Sequence, residues 1–450
     1  MHRHAYIVTG LGYGDEGKGT IVDWLTAQHA AHTVIRTGGP QALHRVVTSE
    51  GAEHVFSQFG AGTLRGAATH LSKYMLVAPS ALLREGNLLI EKRGRDVFDT
   101  VTLHRDSLIV TPVQAVAGRV RELLRGAARR GSVGVGVGET VRDAEDMNGI
   151  VLHTHDLYAP HLAEKLTELW HYKLSQYESY ADRASGLREP QGTAIREQLA
   201  QIAGNDLLQK TIEEFTELAQ RVRRVDDGFV AEKILARSGT VVCEGSQGVL
   251  LDRVHGFYPY TTKVRSTPQA ARDLLGNGGY TGDVRSLGVL RSYATRHGHG
   301  PFVTEDRTLT KELPDAKNHD DAWQGNFRVG HFDAVASRYA VLACGPQVFD
   351  GLVLTCLDRT AARDTWSCCT AYRYDEMRID DLMSLKNANH TELSGLLSRC
   401  TPIVHQNDQR GLHDTERQRL QIEMIAEQVG LPVYATSNGV TERDKYLHEV

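Results

Sequence analysis

The sequence has no apolar run near the roughly 18 residues that a membrane-spanning helix needs, so no membrane span is expected. Its first ten residues carry His2, Arg3 and His4 before a short apolar stretch and then glycine. That is not the layout of a secretory signal peptide. Cysteine is sparse: Cys243, Cys344, Cys356, Cys368, Cys369 and Cys400 are the six, and no two form a CxxC pair. No disulfide framework is expected, and a reducing, cytoplasmic compartment is. An excess of one charge is missing too. The 51 Lys and Arg against 56 Asp and Glu leave a net charge of −5, which gives no reason to expect nucleic acid or an anionic membrane as a partner. His153 and His155, like His297 and His299, lie close together without further Cys or carboxylates at zinc spacing, so structural or surface roles are expected for them. Internal repeats and clear linkers are absent. Hydrophobic residues at 41% and charged residues at 24% exclude a disordered, collagenous or coiled-coil chain.

What is present begins with a buried-strand run at residues 5–9, a glycine loop and a helical pattern over 20–29, then a second short strand at 33–36. This opening predicts an α/β fold with a large, mostly parallel central sheet flanked by helices. Further strands are predicted at 75–78, 107–110, 240–243, 353–358 and 432–436, and helices at 115–130 and 162–180. The run 131–138 alternates glycine with other residues, which predicts a loop that a ligand can approach closely. Length alone suggests about three domains.

The first loop, Gly12-Tyr13-Gly14-Asp15-Glu16-Gly17-Lys18-Gly19, matches GxxxxGK between a strand and a helix. Glycines there free backbone N–H groups to face phosphate oxygens, and a helix N-terminus adds a favourable dipole. Lys18 supplies a charge for terminal phosphates. The Ser or Thr that ordinarily follows the lysine and holds magnesium is replaced by Gly19. Asp15 is the replacement candidate, because an acid beside polyphosphate is repelled unless it binds metal or handles a proton.

Gly14-Asp15-Glu16-Gly17-Lys18-Gly19 resembles the signature of the adenylosuccinate synthetases. The resemblance continues through Gly38-Gly39 and His44, Cys243-Glu244-Gly245-Ser246-Gln247-Gly248, His255-Gly256-Phe257-Tyr258-Pro259-Tyr260, Tyr293-Ala294-Thr295-Arg296 and Leu354-Thr355-Cys356-Leu357-Asp358. It implies that family's fold and a P-loop-like GTP site. It also implies a two-step ligation: GTP phosphorylates the 6-oxygen of IMP, and the amine of aspartate then displaces phosphate. Asp15 would be base and magnesium ligand, with the Leu43 carbonyl as a further ligand. His44 would be the acid beside the transferred phosphoryl, Lys18 would hold phosphates, and Gln247 the 6-oxo group. Gly14, Glu16, Gly17, Lys18 and Gly19 would line the GTP phosphates, and Thr436, Ser437, Asn438 and Gly439 would wrap the base. Asp358 would accept two N–H bonds from guanine, which adenine cannot offer. The implied cofactors are magnesium and GTP as co-substrate. The implied partners are a nucleotide, a small-molecule amine and a second copy in a homodimer.

Departures from the family pattern cluster at substrate recognition. Gln41 stands for the asparagine that contacts IMP, and Leu43 for the glycine before the histidine. The two loop threonines are Ser132 and Val133, and an arginine that reaches the phosphate across the dimer is Met147 in this register. Thr262 still matches a phosphate contact, with Lys263 and Arg265 nearby. Cys356 replaces the lysine of the guanine-binding strand. The loop that grips aspartate keeps Arg328, with Asp320 and Asp321 upstream. Arg328 is the remaining carboxylate partner.

A GTP- and magnesium-dependent C–N ligase with shifted acceptor and amine specificity is therefore expected. Ordinary synthesis from IMP and aspartate is one alternative, and a non-catalytic GTP-binding regulator on the same fold is another. A simple P-loop GTPase switch is disfavoured by Gly19 and by the lack of an Asn-Lys-x-Asp run. Because the motifs run from Gly12 to Gly439, one domain over 1–450 with a helical insertion around 155–235 is expected.

Overall fold

The computed structural model describes residues 2–187, 189–315, 318, 323–345, 347–385 and 390–448. Its centre is a ten-stranded sheet. In chain order the strands are β1 (Arg3–Gly10), β2 (Thr33–Gly38), β3 (Ala68–Met75), β4 (Val101–His104), β5 (Arg223–Val225), β6 (Gly239–Gly248), β7 (Asp283–Arg291), β8 (Gly351–Thr355), β9 (Val433–Ser437) and β10 (Lys445–Leu447). Across the sheet they run β10-β9-β8-β7-β1-β6-β2-β3-β4-β5. Every pair is parallel except β9 with β10.

A parallel sheet covered on both faces needs apolar residues on both. Val8, Val34, Val242, Leu287 and Val353, one from each of five central strands, are completely buried. Between β4 and β5 the chain is largely helical, with helices Leu162–Ser185, Gln191–Ala203 and Asp206–Arg221. Its Leu166, Leu169, Trp170, Ile195 and Phe215 join the same core cluster as Val113, Val116 and Val120 of the helix Pro112–Arg125.

Three readings of the sequence are corrected in detail. The third strand lies at Ala68–Met75, and the apolar run after it forms only a single bridge, Val77 to Ile109. The glycine-alternating run is a loop only to Gly136, where a left-handed residue starts the helix Val137–Glu145. The strand expected to carry Asp358 stops at Thr355. Cys356 turns with φ of 61°, and Asp358 sits in the first turn of the short helix Leu357–Ala361.

The order of the sheet fixes where a ligand can bind. β1, β2, β6, β7, β8 and β9 point their carboxyl ends the same way, and the loops that leave those ends carry nearly all the singled-out motifs. This is the edge at which open α/β sheets bind ligands.

Candidate functional site

A cavity of about 1130 Å³ lies along that edge. Asp15, Lys18, Gln41, Leu43, His44, Gln247, Thr262 and Asp358 line it, as do Gly14, Gly17, Gly19, Ser132, Val133, Ser437 and Gly439.

The first loop is built around its own acid. Gly14, Asp15 and Gly17 have φ of 89°, 62° and 92°, so the chain turns left-handed at three of four positions. For Asp15 that conformation carries strain. It is held by Arg291, whose Nε donates to the Asp15 carbonyl at 2.6 Å, and by Thr355, whose Oγ1 donates to the Glu16 carbonyl at 2.7 Å. The Glu16 carboxylate turns inward. It accepts the N–H groups of Gly12 and Gly14 at 2.9 Å each and the Lys18 ammonium at 2.6 Å. Burial opposes its charge, but Lys18 outweighs burial and holds the Glu16 carboxyl below its usual range. The expectation that Glu16 faces the nucleotide is thus corrected: its side chain is the internal strut of the loop and does not line the cavity. Asp15 does line it. Burial pushes its carboxyl above the usual range, against the lowering effect of Arg291.

The glycine in place of the usual Ser or Thr has a steric cause. A Cβ on Gly19 would stand 2.7 Å from the Cβ of His44 and within 3.2 Å of its backbone. His44 opens the hairpin strand His44–Val47, which lies against the helix Lys18–Gln28. Gly19→Ala is therefore expected to push His44 out of place. The check is a lower melting temperature together with loss of GTP-dependent phosphate release, and a variant with wild-type values for both would refute the packing argument.

His44 is fixed from both ring nitrogens. Nδ1 meets Glu244 Oε1 at 2.5 Å, and Nε2 meets the Ser246 carbonyl at 3.1 Å. Glu244 is fully buried. It also faces Arg36 Nη1 at 3.4 Å and accepts the Ala61 N–H at 2.9 Å. Burial opposes its charge, yet Arg36 and then His44 hold the Glu244 carboxyl below its usual range. Burial pushes the His44 imidazole down, with Glu244 opposing. Ser246 ties this strand end to the second loop, accepting the Gly39 N–H at 3.1 Å and donating to the Thr37 carbonyl at 2.5 Å.

Two amides complete this part of the cavity. Gln41 Nε2 donates to Thr262 Oγ1 at 3.3 Å. Gln41 Oε1 and Gln247 Oε1 are buried and have no hydrogen-bond partner. A buried amide oxygen without a donor is costly, so both are set to receive an N–H from a ligand.

At the opposite end, Asp358, Cys356, Arg359, Ser437 and Gly439 line the cavity. Burial pushes the Asp358 carboxyl up. Thr436 and Asn438 stand outside the lining: Thr436 Oγ1 bonds to His448 Nε2 at 3.0 Å, and Asn438 Nδ2 donates to Gln418 Oε1 at 2.9 Å. They shape the turn and do not face the cavity.

Arg328 is likewise outside the lining. It pairs with Glu305 at 2.8 Å and donates to the Gly298 and Gly300 carbonyls at 2.6 and 3.1 Å. Its expected place on a substrate carboxylate is corrected by those three bonds, which lock the loop 298–300. Asp320 and Asp321 lie outside the described residues. Met147 is completely exposed, beyond the end of the helix Val137–Glu145.

Sequence reasoning missed Glu244 and Arg291. An acid at the end of an otherwise apolar strand was the available signal for Glu244. Nothing local marked Arg291, because its partner Asp15 lies far away in the sequence.

The family model for adenylosuccinate synthetase matches residues 7–446. An adenylosuccinate synthetase of Frankia alni is 32% identical over 406 residues, 87% of this chain and 87% of that protein. One from Ralstonia nicotianae is 28% identical over 468 residues, 98% of this chain and 96% of that protein. Among solved structures, a fully ligated adenylosuccinate synthetase of Plasmodium falciparum superposes with a TM-score of 0.76 at 18% identity, covering 99% of both chains. The succinoaminodeoxyadenylate synthetase of cyanophage S-2L, bound to dGMP and dATP as an energy donor, superposes with a TM-score of 0.60 at 17% identity, covering 100% of this chain and 97% of that one.

Proposed function

The chain belongs to the adenylosuccinate synthetase family, whose members are GTP-dependent C–N ligases, and on that premise we propose which residues run the ligation and on what substrate. The observation that carries the reading is that Asp15, Lys18, His44, Gln41, Gln247 and Asp358 share one cavity.

In this reading the acceptor is a 6-oxopurine nucleotide. Asp15 takes the ring N–H proton as the 6-oxygen attacks the γ-phosphorus of GTP, and GDP leaves. Gln247 Nε2 donates to the 6-oxo group, and the unpartnered Gln41 and Gln247 carbonyls accept hydrogen bonds from the acceptor's remaining donors. Lys18 leaves Glu16 for the phosphates. The His44 ring, held by Glu244 at Nδ1, gives its Nε2 hydrogen to the phosphoryl oxygens in place of the Ser246 carbonyl. The amine nitrogen then attacks C6, and inorganic phosphate leaves with the former 6-oxygen.

The Asp15 carboxylate and the backbone carbonyl of Leu43, both on residues that line the cavity, are hard oxygen donors that suit magnesium. Burial raises the Asp15 pKa, so a nearby dication relieves the cost of its charge. When bound, magnesium neutralises phosphate charge during transfer.

The acceptor and the amine are proposed to differ from IMP and aspartate. In support, Val133 brings no hydroxyl to the cavity, Met147 brings no cation, and Arg328 is committed to Glu305. Ordinary synthesis from IMP and aspartate is the competing reading, favoured by relatives such as the Frankia and Ralstonia synthetases. Phosphate release with GTP and magnesium is to be measured across IMP, dIMP, GMP and dGMP, each with aspartate and then other amines. IMP with aspartate turning over at ordinary efficiency would sink the shift.

Guanine selection is assigned to Asp358. Asp358→Asn replaces one N–H acceptor by a donor. It is expected to reduce the kcat/KM preference for GTP over ATP by roughly 10- to 100-fold, at about 1.5–3 kcal/mol for a hydrogen bond to a charged group. An unchanged preference would remove that assignment.

A further inference from the structure

From their spacing alone, His153 and His155 suggest no metal. In the fold a carboxylate joins them. The two histidines stand where the hairpin of Leu108–Ile109 with Leu152–His153 runs into the short turn Thr154–Tyr158. Residues two apart on extended chain face the same side, and here the rings stack 5.3 Å apart with 4° between their planes. Asp156 is buried and folds back on the pair, its Oδ2 accepting the His153 N–H at 2.8 Å. One nitrogen of each ring and one Asp156 oxygen all lie within 4.8 Å of one another. No other three His, Cys, Asp or Glu side chains converge this closely among the described residues. None of the three lines the cavity that holds Asp15 and His44.

The surroundings prepare the donors. His155 Nδ1 donates to the Arg105 carbonyl at 3.1 Å. A carbonyl can only accept, so the neutral ring keeps its lone pair on Nε2, which lies 3.7 Å from Asp156 Oδ1. A histidine pinned to a backbone carbonyl through one nitrogen and free at the other is the usual arrangement of a metal ligand. The His153 ring faces the Asp156 N–H as its acceptor, so its lone pair is turned to the same side. Asp106 adds a second acid, half-exposed, with Oδ1 3.9 Å from His155 Nδ1. Three cations stand near. Arg105 Nε lies 3.5 Å from Asp106, and Arg224 covers the Tyr158 ring and reaches the His155 carbonyl at 3.4 Å. Lys165 alone touches the candidate donors, with Nζ 2.5 Å from Asp156 Oδ1. It is 38% exposed at the start of the helix Leu162–Ser185, so its ammonium has a path to solvent.

We propose that His153, His155 and Asp156 bind a zinc ion, at a site separate from the magnesium and nucleotide site. Two imidazoles and one carboxylate are zinc donors, and a fourth position is left for water or Asp106. Magnesium takes oxygen donors and is a poor match for imidazoles, so the two ions do not compete. Zinc takes the place of the Lys165 ammonium on Asp156. Seated there, it ties the hairpin to the turn that leads into the helical segment before β5. The inference stands on this cluster alone and does not depend on the ligase reading.

The test is zinc titration by calorimetry of the full chain with magnesium in excess, paired with melting curves. Wild type is expected to take up about one zinc per chain at this site and to melt higher with zinc present, as binding to the folded state requires. His155→Gln removes a half-exposed ligand and is expected to weaken zinc by roughly 100-fold, to lose the zinc-dependent rise in melting temperature, and to melt like wild type without metal. Lys165→Met removes the competing charge beside a dication and is expected to tighten zinc by roughly tenfold. A structural role for the cluster alone would give neither metal effect. Absence of saturable zinc binding would overturn the proposal. Zinc affinity unchanged in His155→Gln would place the ion on other histidines and overturn it too. Zinc bound no tighter by Lys165→Met would overturn the exchange at Asp156.

Discussion

Asp15→Asn is expected to lower kcat for GTP-dependent phosphate release by about 10³-fold, within the range seen for loss of a general base. GTP affinity is expected to change by less than about tenfold, because the loop amides and Lys18 remain. The two states of the carboxyl make the effect diagnostic. Burial raises the Asp15 pKa, so the acid limb of the wild-type kcat/KM profile should lie above the ordinary carboxylate range. That limb should vanish in the variant. The stability effect has the opposite sign. A carboxyl whose folded pKa is raised stabilises the fold at low pH and loses that contribution as pH rises through the folded value. At neutral pH the charged Asp15 therefore costs stability, and Asp15→Asn should melt at a higher temperature while losing activity. A variant that melts lower and loses activity would point to a damaged loop. One that keeps normal turnover would remove Asp15 from the chemistry.

His44→Asn is the second large effect, a fall in kcat of roughly 10²-fold. The asparagine keeps a donor toward Glu244, so the buried Arg36–Glu244 pair is not stripped of its neighbour. Removing one member of such a pair costs about 3–5 kcal/mol, which would confound a test made at Glu244 itself. For His44→Asn the expected signature is reduced kcat with GTP dissociation constant and melting temperature close to wild type. A loss confined to GTP affinity would recast His44 as a binding residue.

The central sheet and the phosphate loop were legible in the sequence because they depend on local order: apolar strand runs, and glycines and a lysine between a strand and a helix. Gly19 shows the limit. The sequence marks it as an exception to the usual hydroxyl, but the reason is the Cβ of His44, 25 positions away and brought close by a parallel sheet. Asp358 was placed at a strand end because the apolar run reads straight through Cys356, and only the left-handed turn there separates strand from helix. Arg328 looked free because its partners, Glu305 and the carbonyls of Gly298 and Gly300, belong to another loop. Glu16 looked ligand-facing because a signature motif does not say which of its side chains turn inward.

Phosphoryl transfer to the 6-oxygen of the acceptor is the defining step of the proposed ligation, and one isotope measurement reads it. The acceptor nucleotide is prepared with heavy oxygen at the 6-oxo position and turned over with GTP, magnesium and the amine. The inorganic phosphate released is expected to carry the heavy oxygen, and the aminated product to have lost it. Phosphate free of the label, with the label retained on the nucleotide, would mean that GTP is hydrolysed by water, and would contradict the ligation.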